Sequence, residues 1–142
     1  MNYFEVKTKE KYTTEKGVDK IGTRQYIIGI KDEAFAAADD FIDNNIGSRL
    51  VKIQSMKELL PDMILNLTDA RDELSYYRCQ VLYLEENDDT GKIKKVRKNS
   101  YVLAKDITEV KELVQEELKN CVHEYLINSV NKINLFDIII EQ

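Results

Sequence analysis

Residues 76–81 read Tyr76-Tyr77-Arg78-Cys79-Gln80-Val81, and an earlier stretch, Tyr3-Phe4-Glu5-Val6-Lys7, opens the chain in the same manner. The echo continues in order. Tyr26-Ile27-Ile28-Gly29 answers to Tyr101-Val102-Leu103-Ala104, Gln54-Ser55-Met56 to Asn128-Ser129-Val130, and Met63-Ile64-Leu65 to Ile138-Ile139-Ile140. Position by position, Tyr3 matches Tyr76, Phe4 Tyr77, Val6 Cys79, Ala38 Val114, Ile42 Leu118 and Ile53 Ile127. A unit stated twice must bury the same face twice, so the echo speaks to architecture before it speaks to chemistry.

Within the first copy, residues 2–13 alternate, with Phe4, Val6 and Thr8 on one face and Glu5, Lys7 and Lys9 on the other, as a half-buried strand does. Glu15-Lys16-Gly17 turns the chain, and Ile21 to Ile30 returns to complete a hairpin. Asp32 is placed to cap a helix carrying Ala34, Ala37, Ala38, Phe41 and Ile42 at helical spacing, which Asn44-Asn45-Ile46-Gly47 ends. Leu50 to Lys57 reads as a third strand. The second copy repeats the order: a strand bearing Tyr77, Cys79, Val81 and Tyr83, a polar turn at Glu86-Asn87-Asp88-Asp89-Thr90-Gly91, and a strand from Lys92 to Ala104. Asp106 or Thr108 then caps a helix with Val110, Leu113, Val114, Leu118 and Cys121 inward, followed by a strand from Tyr125 to Val130 and a short one from Phe136 to Ile140. The expected fold is therefore α+β: an internal duplication of a ββαβ unit, with two helices packed on one side of an antiparallel-rich sheet. The expected organisation is a single domain, residues 1–142, built from a first unit at 1–57, a connecting segment at 58–74 containing Pro61, and a second unit at 75–142.

Composition fits that reading. A chain of 142 residues buries roughly 68–70% of its unfolded surface and needs neither disulfide nor metal to fold. Its 43% hydrophobic and 33% charged residues are those of a folded globular protein, and one proline with five glycines leaves little for flexible linkers. The net charge of −5 argues against a general nucleic-acid binder, which carries a basic excess. Cys79 and Cys121 stand in no metal-binding spacing and read as free thiols of a reducing compartment. The N-terminal residues lack an apolar signal core, and no run approaches the roughly 20 apolar residues of a membrane span. Asn66-Leu67-Thr68 matches a glycosylation sequon, which without a secretion signal is a chance match. The expected location is the cytoplasm of a bacterial host cell, with no membrane association.

The basic run Lys92, Lys94, Lys95, Arg97 and Lys98 is the candidate surface for a partner or for nucleic acid, with Tyr76 and Tyr101 as candidate stacking residues beside it. The simpler reading is a solvated hairpin whose lysines prevent edge-to-edge pairing, with Glu85, Glu86, Asp88 and Asp89 across the turn partly cancelling the patch. The acidic turn has the look of a calcium loop, but Arg97 stands where a bidentate glutamate belongs. Thr90-Gly91-Lys92 lacks the upstream glycine of a phosphate loop. Cys121 and His123, two residues apart at a helix end, diverge rather than form a nucleophile pair, and Asp39, Asp40 and Asp43 form a solvated acidic edge. These residues suggest no catalytic site, cofactor or metal.

The second copy resembles a family of small proteins of unknown function from gut Bacteroidetes and their phages. The resemblance rests on Tyr76-Tyr77-Arg78-Cys79-Gln80-Val81, Thr90-Gly91-Lys92-Ile93-Lys94-Lys95, Leu103-Ala104 and Thr108-Glu109-Val110, and more weakly on Tyr3-Phe4-Glu5-Val6-Lys7 and Asp32-Glu33-Ala34. The chain departs from that pattern in having no tryptophan at the start of the second copy. The resemblance implies a phage or mobile-element setting and supplies no activity. The expected function is a non-catalytic protein-interaction module that engages a protein partner or a second copy of itself through a sheet edge. The alternative is a single-stranded nucleic-acid-binding accessory protein using the basic hairpin and the tyrosine-bearing face.

Overall fold

A computed structural model describes residues 1–142. The chain divides into two compact units: residues 1–60 with 134–142, and residues 61–133.

In the first unit, β1 (Asn2–Thr13) and β2 (Asp19–Ile30) form an antiparallel hairpin in register from Asn2 opposite Ile30 to Thr13 opposite Asp19. The alternation of β1 carries through: Phe4, Val6, Thr8 and Glu10 are all buried. Helix α1 (Phe35–Ile46) lays Ala38, Ile42 and Ile46, one turn apart, onto Phe4, Val6, Tyr26, Ile28 and Ile30. Asp32 does not cap α1 directly. Its carboxylate accepts from the Ala34 backbone N–H at 2.8 Å, and the helix starts one residue later. The helix stops at Ile46 because Gly47 takes φ 68°, a conformation costly for any residue with a Cβ. A single 3-10 turn, Gly47–Arg49, leads into β3 (Leu50–Leu59), which pairs antiparallel with β1.

The second unit begins with β4 (Ile64–Leu65), then β5 (Ser75–Glu86) and β6 (Ile93–Ala104) as a second hairpin, α2 (Ile107–Glu117) and β7 (Glu124–Lys132). Asp106 caps α2, accepting from the Glu109 N–H at 2.8 Å. Val110 and Val114 of α2 pack on Tyr77, Cys79, Val81, Tyr83, Val102 and Ala104. The final strand, β8 (Asp137–Ile140), belongs to the first unit, where it pairs parallel to β2. No helix is long and apolar enough to cross a membrane.

The α+β class, the two helices and the twice-used β-β-α-β order agree with the sequence. The strands, however, form two four-stranded sheets, ordered β3-β1-β2-β8 and β4-β6-β5-β7, rather than one. Each helix covers a sheet of its own. Residues 134–142 accordingly sit with the first unit rather than the second, and the connecting segment 58–74 is not wholly a connector, since β3 runs to Leu59 and β4 lies within it.

The register also corrects the residue matching. Phe4 faces Ile28 across the first hairpin and Tyr77 faces Val102 across the second, so Ile28 corresponds to Val102 and Tyr26 to Ser100. Tyr101 corresponds to Ile27, on the opposite face of its strand. A one-residue offset of this kind exchanges the faces. The same offset applies to the short strands: Ile138 pairs with Ile27 and Ile64 with Tyr101, so Ile64 corresponds to Ile138. On the helices, Ala38 and Ile42 play the parts of Val110 and Val114, one turn earlier than the sequence matching placed them. The matching of Gln54-Ser55-Met56 to Asn128-Ser129-Val130 holds to the residue, because both third strands shift register at Gln54 and at Asn128 against the same point of the first strand.

Since Ile42 is fully buried beneath the first sheet, we predict that Ile42→Ala lowers unfolding stability by about 2–5 kcal/mol. A shift in the denaturant midpoint at unchanged slope checks this.

Candidate functional site

The alternation of β6 decides what its cations can do together. Lys94 and Lys98 share the helix-side face with Val96 and Val102, while Lys95 and Arg97 point the other way with Asn99 and Tyr101. Lys92 lies in the turn, which Asn87 closes by donating its N–H to the Lys92 carbonyl at 2.8 Å. All five cations are exposed and none is ion-paired. Lys98 places its Nζ 5.5 Å from the centre of the Tyr83 ring, within cation–π range. The run is therefore two half-patches on opposite faces, not one surface. Tyr76 and Tyr101, expected beside it as stacking residues, are buried at 5% and 6% exposure. That expectation is corrected: no exposed tyrosine platform accompanies the lysines, because β6 is buried on both faces from Ser100 to Ala104.

What the two half-patches share is a strand edge. β5 pairs with the whole length of β6 on one side. On the other, β4 reaches only Tyr101 and Val102, supplemented by Asp62 N–H donating to the Asn99 carbonyl at 2.8 Å and Tyr101 N–H donating to the Met63 carbonyl at 2.9 Å. Those bonds fix which backbone groups face outward: the odd-numbered ones. Ile93, Lys95 and Arg97 therefore present unpaired N–H and C=O groups along an open edge flanked by cations on both faces.

A second polar feature lies in the first unit and went unnoticed in the sequence, although the alternation Phe4, Val6, Thr8 leads directly to it. Glu10 is buried at 1% exposure. Its Oε2 accepts from Thr8 Oγ1 and from Tyr26 Oη, both at 2.6 Å, and its Oε1 accepts from Arg24 Nη1 at 3.3 Å. Arg24 lies 3.9 Å over the Phe136 ring, and Phe136 meets Tyr26 edge-on at 5.5 Å. Burial, then the hydrogen bond to Glu10 and its charge, push the Tyr26 phenol well above the usual tyrosine range. The carboxylate has three donors and an arginine counter-charge, an arrangement that holds strands together. The second unit uses the corresponding places differently: Tyr83 stands where Glu10 does and donates to Asp62, which stands where Phe136 does. Its phenol is likewise pushed up, by burial first and then by Asp62. In both units these contacts fasten the residue that leads into the short fourth strand.

Cys79 is fully buried and its thiol is pushed up by that burial, the reverse of nucleophile activation. Cys121 is half-buried at the end of the α2 segment, and His123 is exposed.

A family model described as a domain of unknown function (DUF4494) matches residues 2–142. A search of curated proteins finds no match.

Two predictions follow from Glu10 and Tyr26. Glu10→Leu leaves the Tyr26 hydroxyl without its acceptor and the Arg24 guanidinium without its counter-charge, and costs about 2–5 kcal/mol in chemical denaturation. Raised folded-state values for Tyr26 and Tyr83 mean that their contribution is complete below about pH 10, where unfolded tyrosine titrates. It is lost as pH climbs from there toward the folded values, because only the unfolded chain then releases protons. Thermal melts above pH 10 should fall more steeply for the native chain than for Tyr26→Phe.

Proposed function

The chain belongs to the DUF4494 family, and since that family's function is unknown we propose from the geometry that the protein is a non-catalytic interaction module whose partner adds an acidic, extended segment to the outer edge of β6. The open ladder at Ile93, Lys95 and Arg97 carries this reading. Strand addition draws its affinity from main-chain hydrogen bonds and its selectivity from neighbouring side chains. Here the neighbours are Lys94 and Lys98 on one face and Lys95 and Arg97 on the other. An added strand with carboxylates on both faces finds a cation for each, whereas a strand alternating acidic and basic residues meets repulsion. The same charges discourage pairing between two copies of this edge, so they favour an acidic partner over a second β6.

The single-stranded nucleic-acid alternative keeps the cations but loses Tyr76 and Tyr101 as a stacking surface. The phage or mobile-element setting is part of the proposal on the resemblance alone, as is a cytoplasmic location on the two free cysteines. The recurrence of element order, of the bulge in the third strand and of the backbone bond that leads into the short strand supports an internal duplication as the origin of the two units.

The test is titration of a labelled extended peptide rich in Asp and Glu, followed by anisotropy and by backbone amide shifts. The amides of Ile93, Lys95 and Arg97 should move, and Lys95→Glu with Arg97→Glu should weaken binding by about tenfold or more while leaving the melting curve unchanged. Shifts confined to other strands, or binding indifferent to both substitutions, would sink the proposal.

A further inference from the structure

The face of the first sheet turned away from α1 is lined by lysines. The alternation that turns Phe4, Val6 and Thr8 toward the helix side places Lys7, Lys9 and Lys11 in a row on the opposite face of β1. The neighbouring β3 adds Lys52 directly across from Lys9. Its chain neighbour Ile53 packs into the core beneath α1, so Lys52 shares the outer face with Lys9. Lys7, Lys11 and Lys52 are exposed, Lys9 is half-buried, and none of the four makes an ion pair. Like charges directly opposite one another repel, and no acid relieves them. The two acids that frame the row are engaged, Glu5 with Lys57 at 3.6 Å and Asp19 with Thr13 Oγ1, which donates at 2.9 Å. Acidic residues outnumber basic ones in the chain, 26 to 21, so this face carries a local field opposite in sign to the whole.

The fold does not require these lysines. The same register gives their counterparts in the second unit as Gln80, Leu82, Leu84 and Leu126. What the face can hold follows from its geometry. β1 is paired on both sides, by β3 and β2, so it offers no open ladder to an added peptide strand. Alternate residues of a strand recur every ~6.7 Å, a stride close to that of successive phosphates on an extended nucleic-acid strand. The rows of β1 and β3 lie only about 4.8 Å apart, narrower than the minor groove of a duplex at about 6 Å. They bracket one backbone rather than straddle two.

We propose that this lysine face binds the phosphate backbone of single-stranded nucleic acid. Each ammonium group acts as a point charge on phosphate oxygens and releases condensed counterions. Tyr3, the one aromatic residue of these three strands on this face, is half-buried over Gly29 and offers no open ring for stacking. Binding therefore reads the backbone and not the bases. The surface lies in the first unit, and the proposal does not rest on the β6 edge of the second.

Fluorescence anisotropy of the full chain with a labelled oligo-dT, repeated across salt concentrations, tests this. With four lysines engaged, the logarithm of affinity should fall against that of salt with a slope of about −3. Lys7→Gln combined with Lys52→Gln should bring the slope to about half and weaken binding about tenfold or more at low salt. Both side chains are exposed, so circular dichroism should show this variant folded. Oligo-dC should bind as oligo-dT does. Lys95→Glu with Arg97→Glu, in the other unit, should leave binding unchanged. No binding of oligo-dT, a native slope in the Lys7 and Lys52 variant, or loss of binding in the Lys95 and Arg97 variant would each overturn the assignment. So would tighter binding of duplex DNA, polyglutamate or phosphatidylserine vesicles.

Discussion

Both sheets depend on a short parallel strand that closes one side. For β2 that strand is β8, held by Phe136 N–H donating to the Gln25 carbonyl at 2.7 Å and Glu141 N–H donating to the Gly29 carbonyl at 2.8 Å. For β6 it is β4, held by the corresponding bonds around Asn99 and Tyr101. In each case the strand is added beside a hairpin arm of 12 residues but covers only its end nearest the helix. What remains uncovered is the far half of each hairpin. The cationic edge from Ile93 to Lys98 lies there, so the shortness of β4 is what leaves that edge free.

The fastening of those strands shows one position solved in two ways. Phe136 lies under the Arg24 guanidinium and against the Tyr26 ring, while Asp62 accepts a hydrogen bond from the Tyr83 phenol. The first solution needs Glu10 as a buried counter-charge for Arg24, and the carboxylate is tolerable only because hydroxyls fill its remaining lone pairs. The second needs no buried charge pair. Ser100, which holds the place of Tyr26, is buried with its hydroxyl bonded to no protein group. Equivalent backbone frames thus carry unlike polar interiors.

Much of the architecture could be read from residue order. The alternation in residues 2–13, the apolar spacing of both helices and the paired Gln54 and Asn128 segments each named an element that the structure contains. The register of β2 and β6 could not be read, for a physical reason. Residues Tyr26 to Ile30 and Ser100 to Ala104 are buried on both faces, so the alternation that would mark inside from outside is absent. Tyr26 and Tyr101 were natural partners by identity and are opposites by face. The division into two sheets was equally hidden, since a strand's pattern records that it is buried but not which neighbour buries it. Glu10 was legible and missed: it continues the face of Phe4, Val6 and Thr8, and a charge on a buried face is itself the signal.

The exchange of short strands has a consequence during protein synthesis. Lys31 N–H bonds the side chain of Glu141 across a separation of 110 residues, and β8 pairs with β2 over a comparable span. A ribosome therefore completes β1, β2, α1 and β3 and then translates all of residues 61–133 before β2 can receive its outer neighbour. At about 5–20 residues per second this interval lasts on the order of ten seconds. Throughout it the nascent sheet exposes the backbone of Tyr26 to Gly29, flanked by Ile27 and Ile28, to any extended chain nearby. The latest strand to be made thus determines how long the earliest sheet stays unguarded.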